Sequence, residues 1–358
     1  MRVAHWCIWA PSASGMFETA ATVVQGQQRL GLDCALIDAL EPTVQKTDGK
    51  VTTKTADYAA TADIYVMHSH IPPEYLGDGT PVVMFLHGDP LYSWTTQCYD
   101  SIEPGNNGAW DAISWAFQPD SPVKRFISLW PDQMPVWELL DQGRGRTRLL
   151  PSAIDTDWYT PHGEKADLAG DPVLLIADQA RLIKEPFQVF MAAALYHQQN
   201  PKAKLHFIGM PFPSGSFYRR GVQWGNLVAQ PALNDVVGSY GYIAADPRPW
   251  YRRADMLVST ATGTSRVVKE ALSSGMDVLH ATAERSEGIW PILPHDYQRT
   301  SETIAEVAEL RREQGEGRRQ YLWEVAQAKY GQEAMCRGAI AIYEELLHGD
   351  AGLPRGHR

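Results

Sequence analysis

The sequence predicts an α/β protein built as two doubly wound parallel domains, and three observations carry that expectation. Strand-like apolar runs alternate with helix-like amphipathic segments along most of the chain, the pattern of parallel strands joined by crossover helices. The alternation lapses once, over residues 151–171, where proline, glycine and charge replace apolar periodicity. Beyond that lapse, residues 254–279 read as a strand, a small-residue loop, a short helix and another strand.

Taken in order, residues 3–9 form a first strand and 11–15 a small-residue loop. Residues 16–30 form a helix with Phe17, Ala20, Ala21, Val24 and Leu30 along its inner side, stopped by Gly31. Strands follow at 34–37, 64–67 and 82–86, the last two each running into a histidine, then at 126–129 and 148–150. The second series has strands at 173–177, 204–208, 236–237 and 256–258, with a helix over 186–199. Residues 305–312 and 318–347 are expected as helices, with Gly331 and Gly338 as candidate breaks, and 349–358 as a frayed tail.

Composition sets outer bounds. A chain of 358 residues has room for two cores, and 44% hydrophobic with 21% charged residues fits a soluble globular protein. No apolar run has the length of a membrane span and the first residues lack a signal peptide's pattern, so a cytoplasmic protein without a membrane partner is expected. Cys7, Cys34, Cys98 and Cys336 are widely spaced, as free thiols in a reducing compartment would be. The net charge of −10 argues against coating nucleic acid by bulk attraction and leaves room only for a local basic groove.

The segment from Ala261 to Leu279 is the most informative. Gly263, Thr264 and Ser265 can turn and cap a helix, Gly275 stops it, and Glu270 lies about one and a half turns inside. Free backbone N–H groups and the positive end of the helix dipole make such a start an anion site. A carboxylate behind it can accept both hydroxyls of a ribose, so the combination suits a nucleoside diphosphate.

Glu270-Ala-Leu-Ser-Ser-Gly275-Met-Asp-Val278 resembles the donor-site signature of retaining GT-B glycosyltransferases, which use nucleotide sugars. Residues 149–161 resemble that family's interdomain passage. Residues 178–193 resemble its strand-to-helix turn, where an arginine and a lysine grip the diphosphate. The family's first glutamate falls at Thr262, so that half of its pair is missing. The resemblance implies the GT-B arrangement, two doubly wound Rossmann-like domains facing across a cleft. It implies an acceptor-side domain over 1–150, a nucleotide-sugar-binding domain over 151–335, and a C-terminal helix and tail over 336–358.

Roles follow from the same resemblance. Glu270 would hold the ribose, Arg181 and Lys184 the diphosphate, Gly15 the phosphate-side loop of the first domain, and Tyr242 the base. His87, at a strand's C-terminal end where α/β sheets place ligands, would lie near the sugar. His68 and His70 would line the same crevice, with Asp89 as an acceptor-side polar group. The chemistry implied is transfer with retention, commonly from uridine diphosphate glucose. No tightly bound cofactor and no metal are implied, because two cations would neutralise the leaving diphosphate.

Three readings of the acceptor stay open. The N-terminal domain is similar to bacteriophage-encoded glycosyltransferases, some of which decorate hydroxymethylated pyrimidines, implying 5-hydroxymethylcytosine in DNA inside an infected host's cytoplasm. Basic and aromatic residues interleave at Phe217-Tyr-Arg219-Arg220, Trp224 and Pro249-Trp-Tyr-Arg252-Arg253, as phosphate and base contacts require, and Trp110, Trp115, Arg144, Arg146 and Arg148 are candidates for a second wall. A small molecule or glycan is the second reading. The third is a non-catalytic nucleotide-sugar-binding protein, which Thr262 permits.

Overall fold

The computed structural model describes residues 1–10, 15–88, 109–177, 186–208, 231–240, 246–260, 265–281, 285–293 and 295–349. The chain divides into two compact units, one running from Met1 to Ala153 and resuming at Gln332, the other from Ile154 to Gly331. Helices α1 (Gly15–Arg29), α2 (Pro186–Gln199), α3 (Arg248–Arg253), α4 (Arg266–Ser273), α5 (Tyr297–Gln314), α6 (Glu316–Tyr330) and α7 (Gln332–His348) flank the two sheets.

The first unit holds strands β1 (Arg2–Cys7), β2 (Asp33–Asp38), β3 (Thr53–Lys54), β4 (Ile64–Met67), β5 (Val82–Leu86), β6 (Val123–Ser128) and β7 (Thr147–Leu149). They pair in parallel in the order β3-β2-β1-β4-β5-β6-β7. Both faces of the sheet are covered, which is why its strands read as continuous apolar runs. On one face Val3, Leu36, Val66 and Phe85 pack with Phe17 and Val24 of α1 and with Met335, Ala339 and Tyr343 of α7. On the other, Trp6, Tyr65, Met84 and Phe126 pack with Phe117 and Trp137. Strand order reverses between β1 and β4, and sheets of this kind bind ligands at the carboxyl ends of the strands beside such a reversal.

The second unit repeats the plan with β8 (Val173–Ile176), β9 (Lys204–Phe207), β10 (Val237–Tyr240), β11 (Met256–Ser259), β12 (Asp277–His280) and β13 (Ile289–Pro291). Their order is β10-β9-β8-β11-β12-β13, again parallel throughout. Phe190 of α2 and Ile304 and Val307 of α5 cover one face; Val268, Ala271 and Leu272 of α4 with Leu322 and Ala326 of α6 cover the other.

A buried ionic cluster clamps α5 and α6 to the amino ends of these strands. Asp277 is fully buried at the start of β12 and accepts from Arg318 at 2.5 Å, Arg311 at 2.9 Å and the Trp290 indole at 3.0 Å. Asp255, just before β11, accepts from Arg319 at 3.0 Å and from the Val173 amide at 2.9 Å. Asp277, Arg311, Arg318 and Arg319 are all buried, and charges this far from water persist only because each is paired and hydrogen-bonded. Gly275 (φ 82°) turns the chain from α4 into β12 against the backbone of Arg319.

The structure departs from the sequence expectation at several elements. The helix expected over 318–347 is two helices, with Gly331 between α6 and α7. Gly338 breaks nothing: it lies inside α7, where a Cβ would come within 2.6 Å of Leu150 Cδ2 and would push that side chain aside. β3 and β13 were not expected, and β10 runs over Val237–Tyr240 rather than 236–237. The helix expected over 305–312 starts at Tyr297, where the Asp296 carboxylate caps it by accepting from the Arg299 amide.

Candidate functional site

In the second unit the strand–loop–helix segment expected from the sequence stands beside the reversal of strand order between β8 and β11. β11 ends at Ser259, and α4 starts after Ser265, whose backbone is extended (φ −65°, ψ 161°) as a cap position should be. Its side chain does not close the cap, and among the described residues the buried Ser265 Oγ meets no hydrogen-bond partner. A hydroxyl in that position costs free energy until something accepts from it or donates to it.

Glu270 is 5% exposed. Its Oε1 accepts from Arg266 Nε at 2.6 Å and its Oε2 from the Tyr251 hydroxyl of α3 at 3.5 Å. Arg266 and Glu270 are one helical turn apart, on the same side of α4. Lys269 is also buried, 5.4 Å from the Tyr330 ring centroid; burial first, and the neighbouring Arg266 second, lower its pKa to about 7. Arg266, Lys269 and Tyr251 are absent from the sequence-derived set, although the Arg-x-x-x-Glu spacing is visible in the sequence.

In the first unit three histidines from adjacent strands meet. β1 carries His5, His68 follows β4 and His87 follows β5. His5 Nδ1 lies 3.0 Å from His68 Nε2, and His68 Nδ1 lies 2.8 Å from His87 Nε2. At its inner end His5 Nε2 donates to Gln27 Oε1 at 2.8 Å, and Gln27 Nε2 donates to the Tyr343 hydroxyl at 3.2 Å. His5 is fully buried, and desolvation lowers its pKa to about 4. His68, stacked on Phe85 with centroids 4.7 Å apart, is held well below the ordinary imidazole range by burial first and by its two histidine neighbours second. His70 is half-buried and forms no bond with the other three.

The remaining expected residues are distributed as follows. Gly15 opens α1, where its carbonyl accepts from Thr19 Oγ1; among the described residues nothing lies within 4 Å of the position a Cβ would take. Asp89, Arg181, Lys184, Arg219, Arg220, Tyr242, Gly263 and Thr264 lie outside the described residues.

Arg252 and Arg253, expected on the acceptor side, are engaged within the second unit. They sit at the end of α3, on the amino side of β11 and so at the opposite end of the strand from Ser265. Arg252 is 8% exposed and donates to the Thr160 carbonyl; Arg253 donates to the Gly170 carbonyl. Both guanidinium groups therefore tie down the segment that enters the second unit. The proposed second wall is also committed internally. Arg146 pairs with Asp141, Arg148 with Glu345, and Arg144 donates to the Phe117 carbonyl.

Neither a protein-family model nor a curated protein matches this sequence. Solved structures do. The chain is similar to sucrose-phosphate synthase from Thermosynechococcus elongatus, with a TM-score of 0.69 at 14% identity over 98% of this chain and 100% of that one. It is similar to an alpha-glucosyltransferase in complex with UDP and a 13-mer DNA containing an HMU base, with a TM-score of 0.67 at 11% identity over 96% and 99%. A third likeness is to the pneumococcal O-GlcNAc transferase GtfA in complex with UDP and GlcNAc, with a TM-score of 0.64 at 12% identity over 97% and 99%. At these identities what is shared is the fold. It is that of GT-B glycosyltransferases, two Rossmann-like domains, here with parallel sheets of seven and six strands.

Proposed function

We propose that the protein is a glycosyltransferase that moves a sugar from a nucleotide sugar to an acceptor hydroxyl, with retention of configuration. One observation carries the donor side. A helix start at the carboxyl end of β11 offers a buried Ser265 hydroxyl that meets no partner among the described residues, with the Glu270 carboxylate behind it. A carboxylate accepts hydrogen bonds from hydroxyls, so Glu270, which accepts from Arg266 and Tyr251, is the group that would take the ribose hydroxyls.

In the proposed reaction the bond between the anomeric carbon and the diphosphate oxygen breaks, its electron pair leaving with the nucleoside diphosphate. The acceptor oxygen bonds to the same face, and its proton passes to the departing phosphate. Arg181 and Lys184 stabilise the charge that grows on the diphosphate, a task that otherwise falls to a metal ion. His87 is assigned to the sugar, and Asp89 to the acceptor. Uridine diphosphate glucose is the donor to try first.

For the acceptor we take 5-hydroxymethylcytosine in DNA, a reading supported by the likeness to a structure holding DNA. The modified base must leave the stack, at a cost of a few kcal/mol that stacking and phosphate contacts offset. With net charge −10 and Arg252 and Arg253 engaged elsewhere, those contacts fall to Arg219, Arg220 and their neighbours. The internal engagement of five candidate arginines favours a second reading, a small molecule or glycan as acceptor.

Labelled-sugar transfer to hydroxymethylated and plain DNA at two salt concentrations separates the readings. Transfer confined to modified DNA and falling steeply with salt is expected, because each phosphate contact releases counterions. Transfer to a small molecule or glycan, with none to modified DNA, contradicts the DNA acceptor and leaves the glycosyltransferase.

A further inference from the structure

Among the described residues of the first unit, four buried side-chain atoms meet no hydrogen-bond partner: Trp6 Nε1, Gln133 Oε1, Trp137 Nε1 and Thr147 Oγ1. Trp6 stands apart, on β1 against Tyr65 and Tyr75. The other three are brought to one place by the fold.

Beyond β6 the chain turns through Pro131–Gln133 and enters the helix Met134–Leu140. Gln133 already has helical backbone (φ −89°, ψ −14°), so Gln133, Trp137 and Asp141 follow at turn spacing along one side of this stretch. That side faces the sheet. Trp137 is fully buried, its ring parallel to Phe117 at 6.0 Å, and Phe117 lies on Phe126 of β6 at 4.0 Å. Asp141 accepts from the amide and from Nε of Arg146, both at 2.7 Å, which ties the stretch to the residue before Thr147. Thr147 pairs in register with Phe126, and residues paired across neighbouring strands present their side chains to the same face. Its hydroxyl therefore turns to the face that Trp137 covers.

Gln133 Oε1 and Trp137 Nε1 share a side of the stretch without bonding to each other. The indole N–H only donates, the amide oxygen only accepts, and the threonine hydroxyl does either. A group that serves all three must carry both a lone pair and hydrogens. An anion has no hydrogen for Gln133, and a metal cation cannot accept from an indole N–H. We propose that Gln133, Trp137 and Thr147 bound a site for one internal water, which accepts from Trp137 Nε1 and donates to Gln133 Oε1 and Thr147 Oγ1. Three bonds to buried polar groups that lack other partners are the usual setting of such a water. Trp137 is fully buried and Thr147 is 8% exposed, which suits a water rather than a hydroxyl carried on a larger ligand. The water joins the segment leaving β6 to the edge strand β7, and it does so whether or not a sugar is transferred.

Water–proton NOE spectroscopy on the labelled protein reads the site without any substitution. The Trp137 indole hydrogen is expected to show a direct NOE to a water that stays longer than the molecule takes to tumble. An indole hydrogen with no such NOE overturns the proposal. So does a crystal structure in which Trp137 Nε1 donates to a carbonyl of the chain or to a larger molecule.

Two mild variants test the same point by sign. Thr147→Val and Gln133→Met keep the size of each side chain and remove one partner of the water. In a dry site the hydroxyl is buried without a partner, and replacing it with a methyl would raise the urea midpoint. In a watered site Thr147→Val is expected to lower the midpoint and to weaken the Trp137 NOE. The two side chains come from different elements and do not bond to each other, so the double variant is expected to lower the midpoint by less than the two single shifts combined. A midpoint raised by Thr147→Val, or shifts that simply add, would show the three atoms to be separate and overturn the proposal.

Discussion

Replacing Asp277 with alanine is expected to cost about 3–5 kcal/mol of stability, the scale for breaking a buried ion pair by removing one partner. The carboxylate is fully buried and accepts from Arg311, Arg318 and Trp290, so its loss leaves two guanidinium groups and an indole without their acceptor. Those partners come from α5, α6 and β13, and the loss is therefore felt across one whole edge of the second sheet. Asp277→Asn keeps the shape and an acceptor oxygen and should lie between. Urea unfolding with nucleoside diphosphate absent measures it. A loss of less than about 1 kcal/mol for the alanine variant would show the cluster to be no more than a surface ion pair in effect.

Glu270→Ala is expected to weaken nucleoside diphosphate binding by about 2–3 kcal/mol, roughly thirty- to more than a hundredfold, through two lost hydrogen bonds to the ribose. The same change strips Arg266 and Tyr251 of their shared acceptor, so the helix start is disturbed as well. Glu270→Gln separates the two effects: it retains the size of the side chain while removing the charge that draws Arg266. Calorimetric titration on folded variants gives the numbers. An unchanged affinity in Glu270→Ala would remove the carboxylate from the donor site.

The two predictions sit at opposite ends of the same sheet, and the sequence revealed those ends unequally. Glu270 was legible because a strand, a loop of small residues and a helix stop at Gly275 surround it in a short window. Its partner Arg266 was equally readable from i,i+4 spacing, whereas Tyr251 arrives from α3, nineteen residues earlier, and only the fold brings it near. Asp255 and Asp277 each precede an apolar run and look like ordinary strand edges; their arginines lie a helix or more away.

The imidazole line shows the same limit. His68 and His87 stood out at strand ends, but His5 lies within an apolar strand and is linked to them only through the β1–β4–β5 pairing. Gln27 and Tyr343 come from helices more than three hundred residues apart. β13 is masked in the sequence because it ends in proline, which an edge strand tolerates and a central strand does not. Alternation of apolar runs, by contrast, sufficed for the doubly wound plan, because a sheet buried on both faces admits little but apolar side chains.

Nucleotide-sugar turnover tests the central claim most directly. Radiolabelled nucleotide sugars, beginning with uridine diphosphate glucose, are incubated with the protein and with hydroxymethylated DNA, small-molecule and glycan acceptors in parallel. Free nucleoside diphosphate and label bound to acceptor are counted together. The account predicts equal amounts of the two with at least one acceptor, and loss of both in Glu270→Ala. Nucleotide sugar that binds but is never turned over with any acceptor would contradict it, and would make the chain a binding protein on a glycosyltransferase fold.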